Sequence, residues 1–329
     1  MLNIALVGLG FIGETHLQAY NSVKEARVHT VCTTQVTSEN KVNNYKVVKE
    51  FDSVLVDPEI DVVDICLPTF LHEQYIIRAA RAKKHIICEK PLTLTEESVK
   101  RILQTVSDEG VRLFVGHVVR FWPEYQKLKH YIEEGELSNV NWFTAKRLGQ
   151  FPTWSNWFKE PEKSGGALFD LHIHDIDFAY YLFGDVESVY AIGQQSQEGA
   201  WSQMLTNIRF KNGVQAAIES SHEMPNGYPF TAEYRAQTST QTLSYQMKAG
   251  SNIDDLQSAS QSFDLFNDEV VKPIRVSKHD PFTLELQYFI DCINENAKNE
   301  VIPLSDVKYV IGLINSIKKS LETKEVVRL

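Results

Sequence analysis

The chain opens with an apolar run that leads into three closely spaced glycines, LNIALVGLGFIG (residues 2–13). Gly8, Gly10 and Gly13 fit the pattern GxGxxG, which stands here between a β-rich run and a helical one. In such a turn Gly8 makes the tight bend and Gly10 lets backbone amides approach a pyrophosphate. Gly13 lets the helix and the strand pack closely, and the helix N-terminus attracts the anion. The opening therefore predicts a dinucleotide-binding turn.

Short β-rich runs alternate with helical stretches from this turn to about residue 118. Alternation of this kind predicts right-handed βαβ units and a doubly wound parallel sheet. Between residues 185 and 275 the β-rich runs instead follow one another directly, and Asn212-Gly213 separates two of them. Because Asn-Gly is a strong hairpin signal, this second sheet is expected to be mostly antiparallel. We predict a Rossmann domain over residues 1–118 and an α+β substrate-binding and oligomerisation domain over residues 119–329.

Composition narrows the class of protein. The 329 residues carry a net charge of −10, with 33 Lys and Arg residues scattered among 43 acids. Such a charge repels phosphate backbones, so we expect no nucleic-acid partner. No stretch approaches the roughly 18 to 20 apolar residues that cross a bilayer, so no membrane partner is expected. The four cysteines lie far apart without a CxxC pair, which is typical of reduced thiols in a soluble cytoplasmic protein.

The second β-rich run, RVHTVCTTQ (residues 27–35), ends without an acidic residue. NAD-binding sites of this class place an Asp or Glu about 20 residues after the glycine turn, where it binds the ribose. Here Thr33, Thr34 and Gln35 stand at that place. No carboxylate repels the 2′-phosphate of NADP, yet no Arg beside Thr33 binds it. Both NAD and NADP stay open, with a slight preference for NADP.

Four further motifs follow in order: His72 within PTFLH, Glu89-Lys90-Pro91 after HIIC, GHVVRFWP at residues 116–123, and SGGALFDLHIHDID at residues 164–177. In this order they resemble the motifs of the Gfo/Idh/MocA oxidoreductase family, and the likeness spans residues 1 to about 185. The resemblance implies an NAD(P)-dependent dehydrogenase or reductase that acts on a polyol, inositol or sugar-like substrate. It also implies a homodimer or homotetramer.

Oxidation of an alcohol needs a base for the hydroxyl proton while the hydride leaves the carbon. His174 is the expected base, because an imidazole titrates near neutral pH. Asp170 stands four residues earlier, on the same face of a helix, and would orient the substrate or the imidazole. Lys90 follows a strand of the first sheet, where its ammonium would stabilise the developing alkoxide. The resemblance implies the same three catalytic residues.

Other residues complete the expected site. The predicted cofactor-binding residues are Gly8, Gly10, Phe11, Ile12, Gly13, Thr33, Thr34, Pro68, His72, Glu89 and Lys90. The predicted substrate-binding residues are Lys90, His117, Arg120, Trp154, Trp157, Asp170 and His174. The two indoles suit the apolar face of a sugar ring, and packing in the core or at a subunit contact is the equal alternative. We predict no metal site, because His172 and His174 would face about 200° apart on a helix.

Two alternatives to the dehydrogenase stay open. The first is a glycoside hydrolase that keeps NAD bound and uses transient hydride transfer, as some relatives in the resembled family do. The second is a non-catalytic sensor that reports nucleotide redox state. A sensor has no need of proton-transfer groups, so Lys90, Asp170 and His174 argue against it.

Overall fold

A computed structural model of the chain describes residues 1–34, 42, 44–152, 156–250, 259–268 and 270–329. Its internal contacts divide the chain into two compact units. The first unit comprises Met1–Phe121 with His279–Ile311, and the second comprises Trp122–Lys278 with Gly312–Leu329.

The described ranges contain α-helices and β-strands with the following bounds. The helices are α1 (Phe11–Ala19), α2 (Phe51–Leu55), α3 (Thr69–Arg81), α4 (Glu96–Glu109), α5 (Pro123–Glu133), α6 (Pro161–Ser164), α7 (Ile173–Phe183), α8 (Pro281–Asn294) and α9 (Leu304–Thr323). The strands are β1 (Leu2–Val7), β2 (Ala26–Cys32), β3 (Lys46–Val48), β4 (Val62–Ile65), β5 (His85–Glu89), β6 (Leu113–Gly116), β7 (Trp142–Leu148), β8 (Val186–Gln195), β9 (Trp201–Phe210), β10 (Gln215–Ser221), β11 (Thr231–Gln237), β12 (Gln241–Lys248), β13 (Ser260–Asn267), β14 (Val270–Pro273) and β15 (Val327–Arg328).

The first unit is built on a six-stranded sheet with the order β3-β2-β1-β4-β5-β6. Every neighbouring pair in it is parallel. The central strand β4 is buried along its whole length, as expected where helices cover both faces of a parallel sheet. Local signals set the helix ends: the Thr95 side chain accepts the Ser98 N–H at the start of α4, and Gly110 ends that helix in the left-handed region.

The segment His279–Ile311 packs with the first unit although it lies far along the chain. Asp280 caps α8 by accepting the Thr283 N–H at 2.7 Å. The Arg112 guanidinium, just before β6, donates to the carbonyl oxygens of Cys292 and Ala297. These contacts join the segment to the edge strand of the parallel sheet.

The second unit is built on a nine-stranded sheet with the order β14-β13-β12-β11-β7-β10-β9-β8-β15. The pair β7–β10 is parallel and the other neighbouring pairs are antiparallel. The predicted hairpin across Asn212-Gly213 joins β9 and β10, with Gly213 at φ +94°. The prediction of a Rossmann sheet followed by a mostly antiparallel sheet is confirmed.

One face of this second sheet packs on an aromatic core. Tyr125 of α5 contacts Phe178 of α7 and Tyr234 of β11 edge to face, with ring centroids 4.8 and 4.9 Å apart. Strand β9 shows the matching alternation of buried and less buried residues. Throughout the described ranges, we find no helix with the length and apolarity that a membrane span requires.

Candidate active site

The glycine turn after β1 has the geometry that its sequence predicts. Gly8 has φ +94°, and a Cβ on it would stand 2.5 Å from the carbonyl oxygen of Cys66. A Cβ on Gly13 would overlap the carbonyl oxygen of Gly8. Both positions therefore require glycine for the backbone to pass.

Gly10 differs from these two glycines, since no described atom lies within 4 Å of where its Cβ would stand. It precedes the first residue of α1, Phe11, and the Glu14 N–H donates to its carbonyl oxygen at 2.9 Å. The amides at such a helix N-terminus have no partner within the helix and carry a partial positive charge. The space beside Gly10 and these amides fit the pyrophosphate of a dinucleotide.

The next loops along the sheet edge lie after β4 and β5. His72, at 0% exposure, joins them: its Nδ1 lies 2.9 Å from the Pro91 carbonyl oxygen and its Nε2 lies 2.7 Å from that of Leu67. Burial lowers the pKa of His72 below its ordinary value. His72 thus braces Pro68 and the Lys90 loop from within, while the Lys90 side chain is half-buried.

The end of β2 provides the remaining predicted cofactor residues of this unit. Thr33 is 8% exposed and its N–H donates to the Val48 carbonyl oxygen at 3.0 Å, while Thr34 is exposed. Gln35 lies outside the described residues. Among the described residues at the end of β2, Thr34 thus has the side chain that a ribose or a 2′-phosphate can reach.

A polar cluster behind the glycine turn includes a residue that the sequence argument missed. His16 of α1 lies with Nδ1 2.9 Å from Asp64 and Nε2 3.1 Å from Glu89. Its position three residues after Gly13 was visible in the sequence, but nothing there showed that two carboxylates would face it. The Glu89 carboxylate therefore has His16 as a partner within the first unit.

In the second unit, the predicted motif at residues 164–177 begins with a tight turn. Gly165 and Gly166 have φ +71° and +65°, and a Cβ on Gly166 would stand 2.7 Å from the Trp201 carbonyl oxygen. The Ser164 hydroxyl accepts the Gly166 N–H at 3.1 Å. A π-helical turn (Leu168–His172) follows and runs into α7.

Burial separates the five titratable side chains of this motif into two groups. His172, Asp175 and Asp177 are buried, whereas Asp170 and His174 are partly exposed. The two accessible side chains are the predicted catalytic ones. They stand four residues apart, Asp170 in the π-helical turn and His174 in α7.

The buried members of the motif hold the second unit together. His172 lies 2.9 Å from the Ser220 hydroxyl and 2.8 Å from the Thr206 hydroxyl, and burial lowers its pKa to about 3. Arg147 of β7 donates two hydrogen bonds of 2.9 Å to Asp175. This carboxylate raises the pKa of Arg147 despite complete burial.

Asp170 has a partner that the sequence did not indicate. Its Oδ2 lies 3.1 Å from Nε2 of His222, directly after β10, and the exposed fractions are 23% for Asp170 and 4% for His222. The Phe151 ring packs against the His222 imidazole edge to face, with centroids 6.0 Å apart. A buried imidazole thus stands behind the accessible carboxylate.

The other predicted substrate residues are placed as follows. His117 is 2% exposed, and the buried Arg120 donates to Asp306 at 2.9 Å and to the Val301 carbonyl oxygen at 2.6 Å. Trp157 is half-buried and stacks on Phe158 with ring centroids 4.1 Å apart. Trp154 lies outside the described residues. Arg120 thus takes part in holding the segment around α9 within the first unit.

These features define a class of protein: a dinucleotide-binding Rossmann unit joined in one chain to a mostly antiparallel unit that presents a carboxylate and an imidazole. Comparison with known families gives the same result. Residues 2–117 match the family described as "Oxidoreductase family, NAD-binding Rossmann fold", and residues 125–243 match the GFO/IDH/MocA C-terminal domain.

Individual relatives extend the match over nearly the whole chain. The chain is 31% identical to scyllo-inositol 2-dehydrogenase (NAD(+)) of Bacillus subtilis, over 94% of this chain and 90% of that protein. It is 29% identical to myo-inositol 2-dehydrogenase of Thermotoga maritima, over 69% of this chain and 70% of that protein. The crystal structure of a probable dehydrogenase from Thermotoga maritima is similar with a TM-score of 0.81 at 26% identity, covering 99% of both chains.

The chain belongs to the Gfo/Idh/MocA oxidoreductase family. The prediction of an NAD(P)-dependent oxidoreductase is thereby confirmed.

Proposed function

We propose that this oxidoreductase transfers a hydride between nicotinamide and a CH–OH or C=O carbon of a polyol, inositol or sugar-like substrate. The observation that carries the proposal is the accessibility pattern of residues 164–177. Asp170 and His174 are open to a ligand, while the other titratable side chains of that motif are buried. The inositol dehydrogenases to which the chain is similar support the substrate class.

Each proposed catalytic residue has a task that its surroundings suit. His174 takes the hydroxyl proton in oxidation and returns it in reduction. Asp170, which lies 3.1 Å from Nε2 of His222, orients the substrate hydroxyl or the His174 imidazole. The ammonium of Lys90 stabilises the alkoxide that develops on the reacting oxygen. When bound, the dinucleotide supplies the hydride acceptor or donor.

The first unit supplies the proposed cofactor site. The amides that follow Gly10 bind the pyrophosphate, and Gly8 and Gly13 keep the turn close to the sheet. Pro68, His72 and Glu89 shape the loops that border the dinucleotide, with His72 acting from within. His117, Arg120, Trp154 and Trp157 stay predicted substrate-binding residues.

We propose that the cofactor is NAD or NADP, with a slight preference for NADP. Thr34 is exposed at the end of β2 and carries no charge that would repel or bind a 2′-phosphate. An ionic contact between this place and the 2′-phosphate would change the selectivity between NADP and NAD about tenfold for each 1.4 kcal/mol of binding free energy. The relative from Bacillus subtilis is named for NAD(+), which agrees with use of the unphosphorylated cofactor. The cytoplasmic location and the homodimer or homotetramer also stay predictions.

The proposal is tested with purified protein, NAD⁺ or NADP⁺, and a panel of inositols, sugars and sugar acids. We expect at least one polyol to generate reduced nicotinamide, measured by its absorbance. Lys90→Met and His174→Gln should lose at least about 100-fold in kcat, the range typical of acid–base groups, while still binding the cofactor.

Two matched variants control for general damage. Lys100→Met and His130→Gln change exposed residues of α4 and α5, so both should keep wild-type turnover. Normal turnover in Lys90→Met and His174→Gln would refute the catalytic assignment. Release of a sugar from a glycoside without net change in nicotinamide would favour the hydrolase alternative.

A further inference from the structure

The first unit contains a buried cluster of polar side chains. It joins His16 of α1 and Tyr20, the residue after α1, with Asp64 of β4, with Cys66 just after β4, and with Glu89 at the end of β5. His16 is 1% exposed, Asp64 is fully buried and Glu89 is 6% exposed. Because charges are costly to bury unless they are paired, this cluster needs an explanation.

The geometry of His16 is that of an imidazolium. Its Nδ1 lies 2.9 Å from Oδ2 of Asp64 and its Nε2 lies 3.1 Å from Oε1 of Glu89. A carboxylate accepts hydrogen bonds and does not donate them, so both ring nitrogens act as donors. Burial alone would lower the pKa of His16, but its neighbours, above all the buried Asp64 carboxylate at 2.9 Å, raise it well above 6.5. His16 therefore carries a positive charge between two carboxylates.

The same side chains could be taken for a metal site. The donor atoms of His16, Asp64 and Cys66 all lie within 4.8 Å of one another. A metal ligand needs a lone pair on one ring nitrogen, however, and both nitrogens of His16 face carboxylates. Burial also raises the pKa of the Cys66 thiol to about 12, which disfavours the thiolate that metals bind. Hydrogen bonds from a protonated His16 explain the cluster better than a bound metal ion.

Glu89 connects this cluster to the proposed catalytic lysine. Its Oε1 faces His16, while its Oε2 accepts the backbone N–H of Lys90 at 3.1 Å. Gly116 of β6 makes room for this carboxylate, since a Cβ there would stand 2.8 Å from Oε1 of Glu89 and 3.5 Å from Oε2 of Glu285. One carboxylate thus links the helix of the glycine turn to the peptide that carries Lys90.

We propose that His16 is a positioning residue: its imidazolium fixes the Glu89 carboxylate, and Glu89 fixes the Lys90 peptide and hence the direction of the Lys90 side chain. The inference rests on the proposed catalytic role of Lys90. It adds a second task to the helix that follows the glycine turn, which would bind the cofactor at its N-terminus and align the ammonium through His16.

The test compares two amide replacements of His16. In His16→Gln the amide nitrogen lies near the former Nε2 position and can still donate to Glu89, whereas in His16→Asn it lies near Nδ1 and faces Asp64. We expect His16→Asn to lower kcat by about tenfold, the effect of one charge-assisted hydrogen bond, with little change in cofactor KM. His16→Gln should recover most of that loss.

Tyr20→Phe provides the control on the other side of the cluster. The Tyr20 hydroxyl donates to Asp64 at 3.0 Å rather than to Glu89, so its removal should lower the melting temperature and leave kcat nearly unchanged. If His16→Asn and His16→Gln lose kcat equally, in step with their melting temperatures, His16 is only structural and the inference is wrong.

A readout without substrate separates this inference from the proposed function. Acylation of Lys90 by an amine-reactive reagent is followed by peptide mass spectrometry, with the exposed Lys100 as internal reference. A loosened Lys90 loop should react faster in His16→Asn than in wild type, whether or not any polyol is oxidised. An unchanged ratio of Lys90 to Lys100 labelling would overturn the inference, while absence of turnover in wild type alone would contradict only the proposed function.

Discussion

The carboxylate of Asp170 lies 3.1 Å from Nε2 of His222, so a buried imidazole of another element stands next to an accessible acid. We expect His222→Phe to lower kcat by about tenfold, because Asp170 then loses its polar neighbour. His222→Gln keeps a donor near the same place and should recover part of the loss. Steady-state kinetics at saturating cofactor measures both effects, and equal kcat in all three proteins would contradict the role.

Substitutions at two glycines of the turn test cofactor binding and folding separately. Gly10→Ala adds a methyl group where no described atom lies within 4 Å, so the fold should tolerate it. The same methyl group would stand where the pyrophosphate approaches, and we expect cofactor affinity to fall at least about tenfold. Titration of NADH and NADPH by fluorescence measures the loss, with the melting temperature as control.

Gly13→Ala is the matched variant. Its Cβ would overlap the Gly8 carbonyl oxygen, so the turn must shift or the protein must lose stability. We expect a marked fall in melting temperature for this variant and little change for Gly10→Ala. The reverse order would show that the turn differs from the structure described.

His172 makes the stability of the protein depend on pH. Its pKa is lowered from 6.5 to about 3 by burial, so between these values the unfolded chain binds a proton that the folded chain excludes. The stabilisation is present above pH 6.5 and is lost progressively as the pH falls toward 3. Between pH 6.5 and 5 this amounts to about 2 kcal/mol.

The variant His172→Gln isolates this contribution, since an amide can bond the Ser220 and Thr206 hydroxyls without titrating. Urea unfolding of both proteins at pH 7 and pH 5 gives the two slopes. We expect wild type to lose more free energy of unfolding than the variant over this interval. Equal losses would show that His172 does not titrate as described.

The buried pair of Arg147 and Asp175 should dominate the stability of the second unit. Asp175→Asn leaves the fully buried guanidinium without its carboxylate, and breaking such a pair costs about 3–5 kcal/mol. Asp185→Asn removes an exposed partner of Lys211 and should cost at most about 1 kcal/mol. Urea unfolding compares the two, and a small effect of Asp175→Asn would contradict the ionised pair.

The Rossmann sheet follows from the sequence because its signals are local. Each strand and the helix after it lie close together in the chain, and Gly8, Gly10 and Gly13 mark their first junction. Lys90, Asp170 and His174 are predicted as catalytic residues because they stand in ordered motifs. The sequence did not show which acids and histidines of the motif stay accessible. Asp175 and His172 are buried against partners on strands far along the chain.

The features that the sequence did not predict depend on contacts between residues far apart in the chain. His222 and His16 carry no local signal that assigns them to Asp170 or Glu89, because those contacts depend on how strands are ordered in each sheet. The contacts of the segment His279–Ile311 with the first unit are equally non-local. The spacing of Asp170 and His174 predicts one face of a helix, whereas Asp170 lies in a π-helical turn and His174 in α7.

Hydride transfer between a carbinol carbon and nicotinamide can be followed with a deuterium label. A polyol found active in the panel is prepared with deuterium on the carbon that is oxidised, and the reduced nicotinamide is examined by mass spectrometry. Direct hydride transfer places one deuterium per turnover in the reduced cofactor. Reduced nicotinamide without deuterium, or substrate conversion with no reduced nicotinamide formed, would contradict it.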